Sequence, residues 1–167
     1  ELVQTYLRFS QMPFQAQITF EPELLGTAGT LMANWDFISG HDVMVIHADN
    51  LSVFDPEKFV EAFESRPTGV VATIMTFDTD APSSCGILEV ETDGLTGARI
   101  VRQLHEKVEN PPGNLANAAV YIFSKELLDE LEPERSSLTD ISTQVLPRLM
   151  GRMNTFHNKG YHRDIGQ

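Results

Sequence analysis

Apolar runs alternate with longer amphipathic stretches along the 167-residue chain. Runs rich in β-branched and aromatic residues predict strands over residues 15–20, 43–48, 70–77, 86–91, 97–104 and 118–123. Amphipathic stretches predict helices over residues 1–8, 26–34, 125–131 and 141–149, with a further helix that begins at residue 56. The segments 153–157 and 161–165 are too short for their pattern to distinguish a strand from a helix. Strands separated by helices indicate one α/β domain with a largely parallel sheet.

Local chemistry fixes two of the helix starts. Asp55 can cap the helix that begins at Pro56, and Pro is favoured at the first helical position because its missing N–H is not needed there. Ser124 is placed in the same way before the helix at 125–131. The run VMVIHA at 43–48 is continuously apolar, which is typical of a strand buried on both faces.

Composition excludes several classes of function. The formal net charge is −12, with 24 acidic and 12 basic residues, so we expect no nucleic-acid partner. No apolar run approaches the ~20 residues of a membrane span, and we expect no membrane partner either. Cys85 is the single cysteine, which excludes an internal disulfide and fits a reducing cytoplasm. A phosphate substrate would need a local cation in so acidic a chain.

Candidate chemistry begins at the end of the strand at 43–48. In open α/β sheets ligands bind beyond the carboxyl ends of strands, and Asp49 directly follows that strand. Its carboxylate could bind Mg²⁺, which prefers oxygen ligands and phosphate partners, or it could simply cap a turn. Asp164 could supply a second carboxylate, although taken by itself it is better explained by a surface turn. The segment 25–29 (LGTAG) could offer backbone N–H groups to a ligand.

These segments, taken in chain order, resemble the motifs of sugar-1-phosphate nucleotidyltransferases, and most closely those of mannose-1-phosphate guanylyltransferases and related enzymes that activate bacterial envelope sugars. The matching segments are ELLGTAGTL at 23–31, HADN at 47–50, CGI at 85–87, HEK at 105–107, NLANAAVYIF at 114–123 and RDIGQ at 163–167. The resemblance implies a Rossmann-like, GT-A-like nucleotidyltransferase fold with a mostly parallel mixed sheet, and it covers residues 1–167.

The resemblance also implies a reaction, in which a sugar 1-phosphate attacks the α-phosphorus of an NTP and pyrophosphate leaves. It places Gly26 and Thr27 against the nucleoside, Asp49 and Asp164 on Mg²⁺, Gly86, Glu106 and Asn117 on the sugar, and Lys107 on the sugar phosphate. Asp49, Lys107 and Asp164 would thus be the catalytic residues. Leu24 stands where uridylyl-type relatives have Gln, which favours GTP as the NTP.

The sequence departs from the family pattern at three positions and at its ends. Val108 replaces a usual Pro, Ala119 replaces a Gly, and Cys85 replaces an aromatic residue. These replacements bear on which sugar the site would accept more than on the type of reaction. The Gly-rich loop and first strand of the family do not occur before Glu1, nor the closing helix after Gln167. We therefore expect a domain truncated at both ends, inactive alone, that forms homo-oligomers through an exposed sheet edge.

Two other interpretations remain open. The chain could be a non-catalytic module that binds a sugar phosphate or nucleotide. It could also be a metal-dependent glycosyltransferase, although we find no D-x-D triplet. His47 and His105 could be ligands, but hydrogen-bonded histidines near strand ends are the more ordinary interpretation.

Overall fold

The computed structural model describes residues 2–10 and 14–166, so Glu1 of the predicted first helix and Gln167 of the closing motif lie outside the described residues. The helices are α1 Leu2–Phe9, α2 Gly26–Ala33, α3 Trp35–Ile38, α4 Pro56–Glu64 and α5 Lys125–Leu131. The strands are β1 Val43–Ile46, β2 Asn50–Ser52, β3 Ala72–Asp78, β4 Gly86–Thr92, β5 Arg99–Glu106, β6 Leu115–Phe123, β7 Met153–His157 and β8 His162–Asp164.

Six strands form one mixed sheet in the order β1-β6-β3-β7-β5-β4, and β2 pairs with β8 in a small second sheet. The α/β class with a mixed sheet is confirmed. Within the described residues, β3 and β7 pair in parallel and the other pairs are antiparallel. The sheet has fewer parallel pairs than the sequence predicts, because β6 is inserted between β1 and β3 and runs opposite to both.

The two faces of the sheet bury separate apolar clusters. The larger cluster lies under α2, α5 and the segment 141–149, with Tyr121 and Phe123 of β6 at its centre. The smaller cluster lies under α4, where Phe59 and Phe63 pack against Met75. The face of α4 that carries Phe59 and Phe63 is therefore the face that docks on the sheet.

Both predicted helix caps are confirmed. Asp55 Oδ1 accepts hydrogen bonds from the backbone N–H groups of Glu57 and Lys58, at 3.1 and 3.3 Å. Ser124 Oγ accepts from the N–H of Leu127 at 3.2 Å. These caps stabilise helix ends that would otherwise leave N–H groups without partners.

Three predicted elements differ in the structure. Residues 15–20 form no strand, because no strand among residues 2–10 and 14–166 pairs with them, and all six residues are exposed. The strand predicted at 43–48 ends at Ile46 and is half-exposed rather than buried, because it lies at the sheet edge. The helix predicted at 141–149 is a π-turn, Ile141–Val145, followed by a 3₁₀ turn, Leu146–Leu149, where Pro147 cannot donate an α-helical hydrogen bond.

Candidate active site

A pocket of about 630 Å³ opens where β1, β3 and β5 end. Six of the eight predicted site residues line it: Asp49, Gly86, Glu106, Lys107, Asn117 and Asp164. They come from five separate parts of the chain, so the fold brings them together. This is the position at which open α/β sheets bind ligands.

The small sheet of β2 and β8 places the two aspartates side by side. Asn50 lies opposite Asp164 in this sheet, and Ile165 N donates to the backbone oxygen of Asp49 at 2.8 Å. Gly166 N donates to Asp164 Oδ1, also at 2.8 Å. A Cβ at Gly166 would lie 2.9 Å from Asp49 Oδ2 and 3.3 Å from Asp164 Oδ1, so both carboxylates border the same small space.

This donor set fits Mg²⁺ shared with a substrate. Within residues 2–10 and 14–166, no group of three or more His, Cys, Asp and Glu side chains is arranged to hold a metal. Mg²⁺ in phosphate-transferring sites is commonly bound by one or two carboxylates together with phosphate oxygens and water. Asp49 and Asp164 offer that smaller set of ligands.

The opposite wall of the pocket is built on the β4–β5 hairpin. Gly86 lies directly across from Glu106, and a Cβ at Gly86 would lie 2.7 Å from Glu106 Oε2 and 3.7 Å from Asn117 Cβ. Glycine at this position therefore leaves room for the Glu106 carboxylate beside Asn117, and a side chain there would displace that carboxylate. Lys107 follows β5, and its N–H donates to the backbone oxygen of Cys85 at 3.2 Å.

A β-bulge in β6 forms the wall between these two sides. The pairing of β6 with β3 passes from Tyr121–Ile74 to Asn117–Thr76, so extra residues of β6 are left without partners on β3. Bulges bend a strand and redirect its side chains, often beside active sites. Asn117 holds the bulge, accepting from Ala119 N at 2.8 Å through Oδ1 and donating to the Tyr121 hydroxyl at 2.9 Å. Burial raises the pKa of Tyr121, so this hydroxyl stays protonated.

Gly26 and Thr27 do not line this pocket. A side chain at Gly26 would collide with the carbonyl oxygen of Thr139, and the φ of Gly26 is +76°. Thr27 Oγ1 accepts from Ile141 N at 2.9 Å. The LGTAG segment thus packs α2 against residues 139–141, and its predicted contact with a nucleoside stays a prediction.

The whole chain, residues 1–167, matches the family model described as "Nucleotidyl transferase". The chain belongs to this nucleotidyl transferase family. Among curated relatives, the glucose-1-phosphate adenylyltransferase of Clostridium beijerinckii is 25% identical over 84% of this chain and 38% of that protein. The "Probable mannose-1-phosphate guanylyltransferase 2" of Oryza sativa subsp. japonica is 32% identical over 88% of this chain and 40% of that protein. The resemblance to sugar-1-phosphate nucleotidyltransferases is confirmed.

Solved structures show the same fold. HddC from Yersinia pseudotuberculosis superposes with a TM-score of 0.73 at 22% identity, over 99% of this chain and 68% of that one. HddC has also been solved in complex with GMP-PN. The nucleotidyl transferase chain described here spans less than half the length of the curated relatives named above. Among its described residues, no helix is both long enough and apolar enough to span a bilayer.

The histidines of this nucleotidyl transferase chain differ in their surroundings. His105 Nε2 lies 2.6 Å from Glu89 Oε1, as expected for a hydrogen-bonded histidine. His47 lines the pocket, but its Nε2 is buried with no hydrogen-bond partner among the described residues, which contradicts the expectation for it. His162 also lines the pocket and shares a 2.8 Å hydrogen bond with Ser52 Oγ. Burial lowers the pKa of His162, and the negative charge of Asp164 partly opposes this.

Several other residues line the pocket that were not predicted from the sequence. Asp78 ends β3, and Asp80 follows shortly after. The rule that singled out Asp49, a polar residue at the end of an apolar strand, could have found both. Ser142 and the half-buried Cys85 also line the pocket. No sequence signal marks Ser142, which is brought there by the π-turn.

Proposed function

We propose that this chain provides the metal and sugar-phosphate sides of a site that transfers a nucleoside monophosphate from an NTP, with GTP favoured, to a sugar 1-phosphate. The products are an NDP-sugar and pyrophosphate. One observation supports the proposal above the others: two adjacent carboxylates, Asp49 and Asp164, share one pocket with Gly86, Glu106 and Lys107. An acidic pair at one end suits a metal–phosphate group, and the hairpin wall suits a sugar.

The charge of the pocket supports a metal requirement. Two side chains of the pocket wall are positively charged at neutral pH, Lys107 and Arg163. The same wall contains five carboxylates, at Asp49, Asp78, Asp80, Glu106 and Asp164. Such a site repels a phosphate unless a cation enters with it. We propose that the cation is Mg²⁺, held by Asp49 and Asp164.

The proposed reaction breaks one phosphoanhydride bond and forms another. An oxygen of the sugar 1-phosphate attacks the α-phosphorus of the NTP, and the bond from that phosphorus to the oxygen bridging the β-phosphorus breaks. Bound Mg²⁺ supplies neutralisation of the developing charge. Lys107 holds the sugar phosphate with a compact positive charge, and Glu106 accepts hydrogen bonds from sugar hydroxyls. Positioning of the two phosphates supplies much of the remaining acceleration.

Leu24 favours guanine by comparison with the uridylyl-type pattern, and the relatives named above use adenylyl and guanylyl groups. Mannose, a manno-heptose or another hexose would each suit the sugar wall.

The test is calorimetric binding to the 167-residue chain of mannose 1-phosphate, glucose 1-phosphate and NTPs, each in Mg²⁺ and in EDTA. We expect Mg²⁺-dependent binding that Asp49→Asn weakens at least ~10-fold, because the metal loses one of its two protein ligands. Asp36→Asn is the matched control, since Asp36 is exposed on α3 outside this pocket. Binding that EDTA and Asp49→Asn leave unchanged would remove Asp49 from the site.

A non-catalytic sugar-phosphate-binding module is the alternative. The scarcity of basic side chains in the pocket favours it, because a triphosphate needs more positive charge than Lys107 and Arg163 supply. Pyrophosphate release from NTP and sugar 1-phosphate distinguishes the two functions. Because the 167-residue chain alone is expected to be inactive, this assay uses the protein at its natural length. If that protein binds the sugar phosphate without releasing pyrophosphate, it is such a module.

A further inference from the structure

One tyrosine is buried behind the wall of the pocket, with its hydroxyl between two side chains that line it. Tyr121 is 0% exposed, and its ring stacks on that of Phe123 with 5.4 Å between the ring centroids. Asn117 and Ser142 both line the pocket. Burial raises the pKa of Tyr121, and hydrogen bonds from the side chains of Asn117 and Ser142 to its oxygen partly oppose that rise. The polar end of Tyr121 is thus held by two residues of the candidate active site.

The backbone fixes the direction of the hydrogen bonds around Asn117. Ala119 N can only donate, and it donates to Asn117 Oδ1 at 2.8 Å. The amide nitrogen of Asn117 therefore faces the other way, where it donates to the Tyr121 hydroxyl oxygen at 2.9 Å. Since this oxygen accepts from Asn117, the hydrogen of the Tyr121 hydroxyl is left for another acceptor.

Ser142 is the acceptor for that hydrogen. Its side chain lies at the Tyr121 hydroxyl, and a buried O–H group without an acceptor would be strongly disfavoured. A serine hydroxyl that accepts one hydrogen bond still has its own hydrogen to donate. Ser142 is half-buried and lines the pocket, so an atom of a ligand can accept that hydrogen.

The π-turn holds Ser142 in this place by bonds that do not involve its hydroxyl. Ile141 N donates to Thr27 Oγ1 at 2.9 Å, and Thr143 N donates to Asp140 Oδ1 at 2.7 Å. Single π-turns are uncommon and are frequently found at functional sites. The residues on both sides of Ser142 are therefore fixed, while its side chain remains available to the pocket.

An uncharged donor matters in this pocket because basic side chains are few there. Asn117, which shares the Tyr121 hydroxyl with Ser142, lies beside the hairpin wall: a Cβ at Gly86 would lie 3.7 Å from Asn117 Cβ. The proposed function gives that wall to the sugar. Ser142 is thus a neutral donor beside the proposed position of a ligand that is rich in acceptor oxygens.

We propose that Ser142 is a further ligand-binding residue, which donates a hydrogen bond to an acceptor oxygen of the sugar 1-phosphate, and that Tyr121 is the positioning residue that directs this donation. The inference rests on the proposed function. It accounts for a buried hydroxyl at Tyr121, where phenylalanine would fill nearly the same space.

The test is calorimetric titration of the 167-residue chain with mannose 1-phosphate and glucose 1-phosphate in Mg²⁺. We expect Ser142→Ala and Tyr121→Phe each to weaken binding of a sugar 1-phosphate by about tenfold, the scale of one hydrogen bond, and binding of an NTP less. Ser142→Thr keeps the hydroxyl and should keep most of the affinity. The double variant should also lose about tenfold, rather than the roughly hundredfold loss of two independent changes, because Tyr121 acts through Ser142.

Two matched controls make the same chemical changes outside the pocket. Ser137→Ala removes an exposed hydroxyl that donates to the carbonyl oxygen of Glu134 at 2.8 Å. Tyr161→Phe removes the hydroxyl of a tyrosine that is 50% exposed. Neither should change the affinity, and the melting temperature of every variant checks its fold. If Tyr121→Phe does not fold, the comparison of Ser142→Ala with Ser142→Thr decides the inference.

The outcomes separate this inference from the function on which it rests. If the unaltered chain binds a sugar 1-phosphate and Ser142→Ala binds it equally well, the inference is wrong and the proposed function survives. The same holds if the losses of Ser142→Ala and Tyr121→Phe multiply in the double variant, because Tyr121 then acts independently, through the packing of the strand. If no sugar 1-phosphate binds to the unaltered chain, the proposed function fails and takes the inference with it.

Discussion

A side chain at Gly166 would crowd the two aspartates, which occupy the space around it. A Cβ there would lie 2.9 Å from Asp49 Oδ2, closer than real Cβ contacts come, and 3.1 Å from Asp49 Cβ. The glycine of the closing D-I-G motif therefore allows the two carboxylates to approach each other. It is a positioning residue for whatever they bind.

We predict that Gly166→Ala weakens Mg²⁺ binding by about tenfold, the scale on which residues that support metal ligands act, while the fold stays intact. Isothermal titration with Mg²⁺ measures the affinity, and circular dichroism checks the fold. Gly94→Ala is the matched control, because nothing lies within 4 Å of a Cβ at Gly94. Equal Mg²⁺ affinity in both variants would show that the spacing of the carboxylates does not matter.

Lys107 is the second residue for which the site makes a specific prediction. It lines the pocket next to Glu106, on the hairpin wall proposed to hold the sugar, so its charge should serve the sugar phosphate. We expect Lys107→Ala to weaken binding of the sugar 1-phosphate by about tenfold, the value of a charge-assisted hydrogen bond, and that of the NTP less. Alanine keeps a Cβ, so the backbone strain at +49° is unchanged.

The control for Lys107 is Lys159→Ala. Lys159 is exposed and lines other pockets, beside His157 and Gly160, so its loss should affect neither ligand. Titration of each variant with sugar 1-phosphate and with NTP gives the comparison. Equal losses for both ligands in Lys107→Ala would show that this residue does not distinguish the sugar phosphate.

Among the elements, the parallel pair β3–β7 is tied to α4 by one buried amide. Asn154 Oδ1 accepts from Thr73 Oγ1 at 2.7 Å, and Asn154 Nδ2 donates to the carbonyl oxygen of Ala62 at 3.0 Å. Ala62 lies in the last turn of α4, where carbonyl groups lack helical partners. One side chain thus connects two strands and completes the end of a helix.

We predict that Asn154→Ala lowers the free energy of unfolding by about 2 kcal/mol, because it leaves a buried hydroxyl and a helix carbonyl without partners. Thr155→Val is the matched control on the same strand. The Thr155 hydroxyl is buried without a hydrogen-bond partner among the described residues, so its loss should be neutral or stabilising. Denaturant titration gives both values, and a loss at Thr155 as large as that at Asn154 would contradict this account.

The sequence predicts elements where the deciding chemistry is local. Asp55 and Ser124 cap helices because their side chains reach N–H groups two or three residues ahead, whatever the rest of the fold does. The segment 15–20 shows the limit of such patterns. Its alternation of apolar and polar residues is typical of a strand. A strand, however, needs a neighbouring strand to pair with, and in the described residues none lies beside this segment.

The candidate site likewise contains residues that the sequence can predict and features that only the fold determines. Asp49 can be predicted as a site residue because it directly follows an apolar run. The role of Asp164 as a metal ligand is implied only by the resemblance to the family. The β6 bulge could not be found, because it depends on the register between β6 and β3. Ala119 was noticed as a departure from the family pattern, and its positive φ explains why glycine would be the ordinary residue there.

At the scale of the whole molecule, the described sheet ends at an edge strand, β1, that carries exposed apolar side chains. β1 is the terminal strand of the six-stranded sheet, and β6 is its strand neighbour in the described part of the chain. Met44 and Ile46 lie on the same face of β1 and are 37% and 50% exposed. An uncovered apolar edge strand readily pairs with another chain.

We predict that the chain self-associates at micromolar concentration through this edge, because burying a few hundred Å² at ~25 cal/mol per Å² gives several kcal/mol. Ile46→Lys should shift it towards monomer, since a charged side chain at the edge opposes pairing. Leu95→Lys is the matched control, adding the same charge at a residue 98% exposed on the β4–β5 turn. Size-exclusion chromatography with light scattering, over a range of concentrations, measures the mass. A constant monomer mass for the unaltered chain, or an equal shift in both variants, would show that the β1 edge is not the interface.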